Sequence, residues 1–334
     1  MSLVHISPEA NASLYGASQE PIAMVMEETA EAMDRISVAN LIFNKMDSDG
    51  FALALTGVTS LGDFEDVGEA GAYPENGFQE GFKKVIYPHE WKNSFSITQT
   101  MREDNKILDM KNLGRSLIKS SKRTREKFFA ALLGGAYQGN TVSFAGKNYD
   151  VTAEDGKSLF NKEHISKTDK KLIQSNMFAG DLTAANLSKI ETQMQNFCDD
   201  NGNLLDIAPD TIIIPNISAL KDAAFEAVAS EKSPNTSTNA MNYQFGRWNI
   251  IVWNYLNRFI VSKNGAMPYI VMDSNYNEEA LGAVANERVA LKVKSYIDNK
   301  NDNNVWSGRE RYSGGFKDWR AFAIGGITDG TALA

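Results

Sequence analysis

Cysteine is nearly absent from this chain. Cys198 is the only one, which excludes an intramolecular disulfide and fits a reducing compartment. Long apolar runs are missing as well. FFAALLGGA is among the longest, far short of the ~20 residues of a membrane span, so no membrane partner is expected. The opening MSLVHISPEANASLYG lacks a basic start followed by an apolar block and is not a signal peptide. Histidine is scarce: His5, His89 and His164 are scattered, match no zinc spacing and read as structural. A basic excess is missing too. The net charge is −8, which argues against a protein whose main task is gripping nucleic acid through its phosphates.

Catalytic and ligand motifs are equally hard to find. Cys198 has no evident His partner and sits beside Phe197, so it reads as a buried, inert thiol. Asp47-Ser48-Asp49-Gly50 hints at a calcium loop, but alignment on the glycine puts Lys45 at the first ligand position and Thr56 at the last. Asp199-Asp200-Asn201-Gly202 fails in the same way, with Phe197 first, and reads as a turn. Gly146-Lys147 has Thr141 where a phosphate loop needs its first glycine and Asn148 where it needs Ser or Thr. There is no G-x-S-x-G and no G-x-G-x-x-G. Glu287, Glu310 and Asp318 lie among Arg288, Arg309, Arg311 and Arg320, which reads as a salt-bridged strand surface. The expectation is no catalytic residue, no metal and no cofactor. An α/β hydrolase or transferase with an unrecognised site stays open as an alternative.

What the chain does have is length and one conspicuous helix. Its 334 residues, 43% of them hydrophobic, suffice for a large core and two lobes. Between Asp104 and Gly135, apolar residues fall at Ile107, Met110, Leu113, Leu117, Phe128 and Leu132, the spacing of a helix with one buried stripe. Asp104 is the expected N-cap and Gly134-Gly135 the expected stop. From Asp109 to Leu133 such a helix is roughly 37 Å long. Its outer face carries Lys111, Arg115, Lys119, Lys122, Arg123, Arg125 and Lys127, opposed by Glu126.

Around it the order of parts is legible. Residues 1 to about 20 read as an irregular arm. A helix is expected from Glu20 to Phe43, with Val25, Met33, Ile36 and Phe43 on one side and Glu27, Glu28, Glu31 and Asp34 exposed. Residues 46–101 read as a long two-stranded excursion. Its first strand holds Phe51, Leu53 and Leu55, and its second puts Phe95, Ile97, Gln99 and Met101 on one face. Between them lie Asp63, Glu65, Asp66, Glu69, Glu75 and Glu80 with no base. Such a hairpin has few apolar anchors and is built to lie on something else, the basic helix face being the obvious candidate. After a turn-rich stretch, Thr183 is expected to cap a helix with Leu187, Ile190, Met194 and Phe197 on one stripe. A strand at Thr211–Ile214 follows, then a helix capped by Asn216 with Leu220, Phe225 and Val228 on its stripe. NIIVWNYL and PYIVMD read as strands, SEKSPNTSTNA as a surface loop. Long strands return at the end: Val289, Leu291, Val293 and Ile297 alternate with Arg288, Lys292 and Lys294, and VWSGRERYSGG with DWRAFAIGGI is expected to form a closing pair.

Arm, long hairpin, long helix, α/β lobe and returning strands: this order resembles the major capsid protein of tailed bacteriophages, an α+β chain of the Hong Kong 97-type fold. Local wording narrows the resemblance to Mu-type major head subunits. Asp155-Gly156-Lys157-Ser158-Leu159-Phe160 with His164 is similar to their D-G-x-x-L-F…H segment. Pro209-Asp210-Thr211-Ile212-Ile213-Ile214-Pro215 is similar to their P-D-T-hydrophobic-P strand. Arg311-Tyr312-Ser313-Gly314-Gly315-Phe316-Lys317-Asp318-Trp319-Arg320 is similar to their R-Y-x-x-G-x-x-D-W-R. The resemblance implies an N-terminal arm over 1–45, an E-loop hairpin over 46–101, a spine helix and first part of a P-domain over 102–182, an A-domain over 183–285 and P-domain closing strands over 286–334. It implies a non-enzymatic shell subunit that assembles as hexamers and pentamers in the host bacterial cytoplasm and encloses double-stranded DNA without sequence-specific binding. A portal and a decoration protein are further implied partners. Only about 20 residues precede the first expected helix, too few for a fused folded unit, so a separate scaffolding protein is expected. The expected inter-subunit contact joins Asp63, Glu65, Asp66, Glu69 and Glu75 of the hairpin to Lys111, Arg115, Lys119 and Lys122 of a neighbour's helix. An encapsulin-like nanocompartment, with the same fold around a protein cargo, is the alternative.

Overall fold

The structure is a computed structural model and describes residues 3–58, 64, 66, 67, 71–73, 75, 77, 80–231, 241–260 and 267–333. The first half holds β1 (Val4–Ile6), α1 (Pro8–Ala12), α2 (Gly16–Arg35), α3 (Ala39–Ile42), β2 (Asn44–Asp47), β3 (Leu53–Val58), β4 (Glu80–Ile86), β5 (His89–Ile97), α4 (Gln99–Glu103) and α5 (Ile107–Gly135). Then come β6 (Thr141–Phe144), β7 (Lys147–Asp150), β8 (His164–Ile165), β9 (Ile173–Gln174), α6 (Ala184–Gln195), β10 (Thr211–Pro215) and α7 (Ser218–Ala229). The chain closes with β11 (Asn249–Trp253), a 3-10 turn (Asn254–Arg258), β12 (Tyr269–Met272), α8 (Ser274–Glu279), β13 (Ala283–Asp298), β14 (Asn303–Phe316) and β15 (Phe322–Gly325). Two compact units result. One comprises Met1–Leu53, Ile86–Phe129 and Ala285–Gly314; the other comprises Ala54–Val85, Ala130–Val284 and Gly315–Ala334.

The first unit is a five-stranded sheet with helices on it. The strand order is β1-β13-β14-β5, with β2 also on β13. Its core joins Ile22 and Met26 of α2, Met110, Leu117 and Ile118 of α5, and Ile97, Val293 and Trp306 of the sheet. Ile22 and Met26 come so near α5 that a Cβ on Gly114 would lie 3.1 Å from each. Gly114 is therefore the contact point of the two helices. A second cluster packs Trp91, Phe128, Phe129 and Tyr312, with the Trp91 and Tyr312 rings stacked at 5.4 Å.

Several expectations for this unit need correction. The helix expected from Glu20 to Phe43 starts earlier and breaks after Arg35. Its buried stripe is Ile22, Met26 and Ala30, while Ile36 is exposed; the approach to Gly114 selects that face. The second strand of the excursion is really two. Pro88 cannot donate to a ladder, and the chain divides there into β4, paired with β3, and β5, paired with β14 in another sheet. β5 stops at Ile97 because the Thr98 hydroxyl caps α4 by accepting from the Met101 N–H at 3.3 Å. Gln99 and Met101 are thus helical. Asp104 closes α4 and is not the N-cap of α5; Asn105, at φ 54°, makes the corner. Ile107 at the helix start is exposed.

The second unit is organised on a four-stranded sheet of order β11-β10-β12-β15. β10 is buried along its whole length, parallel to β11 and antiparallel to β12. Thr183 caps α6 as expected, its hydroxyl accepting from Asn186 at 3.2 Å, and Leu187, Ile190 and Met194 are buried. Asn216 does not cap α7. Its N–H donates to Asn257 Oδ1 at 2.6 Å while Asn257 Nδ2 donates back to its carbonyl. Phe225, expected on the buried stripe of α7, is exposed. The expected closing pair does not form either. β14 pairs with β5 and neighbours β13, whereas β15 pairs with β12. β3 and β4 form a two-stranded sheet by themselves.

Candidate assembly surface

The cations of α5 are not equivalent. Residues buried on this helix include Met110, Gly114, Leu117 and Ile118, so positions such as 112, 116, 119 and 123 face outward. Lys119 and Arg123 are exposed, and Lys111 and Arg115 are half-buried. Arg115 Nη1 donates to Asn112 Oδ1 at 3.1 Å. Lys122 is largely covered and pairs with Asp34 of α2. Arg125 donates to Glu287 at 3.3 Å, as does Lys45 at 2.9 Å, and its guanidinium lies 5.1 Å from the Tyr312 ring centre. Burial pushes the Glu287 carboxyl up, but Arg125 and Lys45 outweigh it and hold it below the ordinary value. Glu310 is the opposite case: burial wins over the Ser121 hydrogen bond (2.8 Å) and raises it. Glu126 turns toward the start of α3, where it accepts from the Ala39 N–H at 3.3 Å and from Ser37.

Part of the basic face is therefore neutralised inside the chain, by partners that sequence reasoning missed. A signal was present: Glu27, Glu31 and Asp34 on α2 repeat at the same helical period as the cations of α5. The acidic half of the expected contact is only partly visible. Asp63, Glu65 and Glu69 lie outside the described residues, while Asp66 and Glu75 are exposed. Arg123, which the expected contact omitted, is the more accessible cation beside Lys119.

Two motifs far apart in sequence meet in the second unit. The Asp155 carboxylate takes the Lys157 N–H at 3.1 Å, and Gly156 at φ 77° completes that turn; the left-handed backbone there favours glycine. Leu159 and Phe160 go into the core. His164 lies with Nδ1 2.6 Å from Asp155 Oδ2 and Nε2 3.3 Å from Asn176 Oδ1. The Asn176 amide nitrogen donates to the carbonyls of Leu159 and Phe322. Its oxygen therefore faces His164, so each ring nitrogen lies against a side-chain oxygen. The ring stacks on Trp319 at 4.0 Å. Next to Trp319, Arg320 donates to Asp200 at 3.1 Å and to the Cys198 carbonyl at 2.9 Å, and Asp318 accepts from Tyr276 at 2.9 Å. Glu154 lies at the rim. Burial, helped by Asp318, pushes its carboxyl up from 4.5 to about 8 against the pull of Lys317 and Arg320. This network locks loop to strand. Among the described residues no group of three or more His, Cys, Asp or Glu side chains could hold a metal ion, and no helix is long and apolar enough to cross a membrane.

The model of the phage capsid protein family matches residues 82–325, well over half of the chain. No curated protein matches it. Among solved structures, the mature capsid of bacteriophage PhiM1 is similar over 88% of this chain and 87% of that one, at 10% identity and a TM-score of 0.52. A chain of Mycobacterium phage Patience is similar over 96% of this chain and 89% of its own, at 12% identity and a TM-score of 0.49. The capsid of Myoviridae phage XM1 follows with 85% and 88% coverage, 12% identity and a TM-score of 0.47. Two coupled helices, a separate two-stranded ribbon and motifs that serve packing are what a building block needs, and with a family match across most of the length they place this chain in the phage capsid protein family, as a structural subunit of a capsid shell with the Hong Kong 97-type fold.

Proposed function

We propose that copies of this chain join as hexamers and pentamers into an icosahedral head around double-stranded phage DNA, held without sequence-specific contacts. The observation that supports this best is the β3–β4 ribbon. It has no third strand among the described residues; Lys84, bonded to Asp150 at 2.6 Å, and Lys167, bonded to the Gly81 carbonyl at 2.6 Å, anchor it on its own unit, but a ribbon of two strands is marginal in water without further cover. Lying on a neighbouring subunit offsets that weakness. In this reading the acids of residues 63–75 face Lys119 and Arg123 of the neighbour's α5, with Lys111 and Arg115 at the margin and Lys122 already engaged with Asp34. The net charge of −8 suits a container that must release its genome, since a strongly basic lining would hold DNA by counterion release.

The finer parts of the reading are proposals of the same kind. The chain divides functionally into arm (1–45), E-loop (46–101), spine and P-domain (102–182 and 286–334) and A-domain (183–285). Shell assembly takes place in the host cytoplasm with a separate scaffolding protein, a portal and a decoration protein, and without catalysis or a metal. Ribbon contacts alone set no single radius, which is why a scaffolding partner belongs in the proposal. Expression of the chain alone, followed by electron microscopy, tests it. Tubes, small shells or irregular aggregates are expected, and coexpressed scaffolding protein restores uniform shells. Uniform genome-sized shells from the chain alone overturn the scaffolding role. A soluble monomer or dimer under both conditions overturns the shell reading, and protein cargo in place of DNA favours a nanocompartment.

A further inference from the structure

A cavity of about 540 Å³ opens in the first unit, walled by α2, α5 and β13. Every residue that lines it belongs to that unit. Clefts of this size commonly hold small ligands. The lining carries five carboxyl groups against three bases. The bases are already engaged: Lys122 pairs with Asp34, and Arg125 and Lys45 both pair with Glu287. Glu31 and Glu310 are left without a base in ion-pair contact among the described residues. Glu31 is exposed and Glu310 is only 5% exposed, so one stands at the mouth and the other at the floor.

The floor lacks a donor. Among the described residues, the Glu310 carboxyl accepts a hydrogen bond from the Ser121 hydroxyl, to Oε1 at 2.8 Å, and its other oxygen has no partner. A buried carboxyl group normally fills that capacity. Ala30, Ala290 and Leu291 make part of the wall apolar. A metal ion does not fit, because among the described residues no group of three or more His, Cys, Asp or Glu side chains could hold one. The excess of acid rules out DNA and other polyanions, which are gripped by bases. A cationic donor on an apolar stem fits each feature: the stem lies along the apolar wall and the head reaches the acid.

We propose that this cavity binds an organic cation, a guanidinium or alkylammonium group on a short apolar stem, with Glu310 as the acceptor at its floor and Glu31 at its mouth. Such a group arrives either on an arginine or lysine of a partner protein or as a free polyamine. Burial raises the Glu310 carboxyl, with Arg125 and Lys122 pulling it down and Glu287 opposing them; a bound cation favours its ionised form. The site goes beyond the shell reading and does not depend on it, since one subunit contains the whole cavity.

The test titrates the dissociated full-length subunit with two probes, spermidine and the blocked dipeptide acetyl-Leu-Arg-amide, by calorimetry at constant ionic strength. Saturable binding of at least one probe is expected. Glu310→Gln should weaken it by about tenfold or more, the loss of a charge-assisted hydrogen bond. Glu28→Gln, on α2 but outside the cavity lining, should leave it unchanged. Binding of spermidine identifies a free polyamine as a competent ligand; binding of the dipeptide alone identifies a protein side chain. No saturable binding of either probe overturns the proposal. Equal weakening by Glu310→Gln and Glu28→Gln overturns it too, because it would reduce the effect to diffuse attraction by an acidic surface. If Glu310→Gln misfolds, Glu31→Gln, at an exposed position, carries the same comparison.

Discussion

Glu154 illustrates how one buried group can set a pH dependence. Its Oε2 is shut off from solvent and has no hydrogen-bond partner among the described residues, and a Cβ on Gly57 of the ribbon would lie 3.0 Å from it. With its carboxyl raised from 4.5 to about 8, the folded state holds a proton that the unfolded chain releases. The stabilising effect is complete below about 4.5 and is lost as pH rises through about 8, at up to ~1.4 kcal/mol per pH unit. Glu154→Gln keeps the shape and removes the titration. Denaturant midpoints of the dissociated subunit from pH 5 to 9 should therefore show a flatter profile for the variant and a crossover to higher stability at alkaline pH. Parallel profiles for the two proteins would refute this account. His164 makes a second case. His164→Ala leaves Asp155 buried without its partner, an uncompensated charge that costs about 3–5 kcal/mol. Urea unfolding measures that loss, and a change below ~1 kcal/mol would mean that the network is not stabilising.

At the scale of elements, α2 and α5 act as a pair. Their apolar contact passes through Gly114, and their charges meet at Lys122 and Asp34. The ion pair is partly solvated, so it is worth only ~0–1 kcal/mol; the packing at Gly114 matters more. Gly114→Leu drives a branched side chain into Ile22 and Met26. Overpacking of this kind costs about 1–3 kcal/mol. The expected result is a lowered melting temperature and faster proteolysis of the N-terminal segment. An unchanged melting temperature would show that α2 moves aside freely.

For the whole molecule, the proposed contact between α5 and a neighbour's acidic hairpin means that subunit folding and shell building use different surfaces. Lys119 and Arg123 are exposed on α5 and have little to do within the subunit. Lys119→Glu together with Arg123→Glu should leave thermal melting within about 1 kcal/mol of the parent. Shell yield, read by sedimentation, should fall sharply, because on the proposed contact every copy in a shell would repeat a like-charge clash with its neighbour's acidic hairpin. Normal yield from the double variant would mean that the ribbon does not lie on this face.

Local physics made much of this chain legible. The stripe of Leu187, Ile190 and Met194 on α6, the Thr183 cap and the buried strand at Thr211–Ile214 follow from period, hydrogen-bonding side chains and apolar runs, and the structure contains each of them. The length of α5 followed in the same way, as did the order of motifs that pointed to a capsid subunit. Partner choice did not. Nothing near Phe225 says that its side of α7 is left bare, because period marks an apolar face but not what covers it. DWRAFAIGGI reads as a strand, yet whether it joins β14 or β12 depends on residues more than 40 positions away. The same holds for Lys122 and Asp34, and for His164 with Trp319. Such pairings lie far apart in sequence, so only tertiary packing, which decides which faces are removed from water together, could select them.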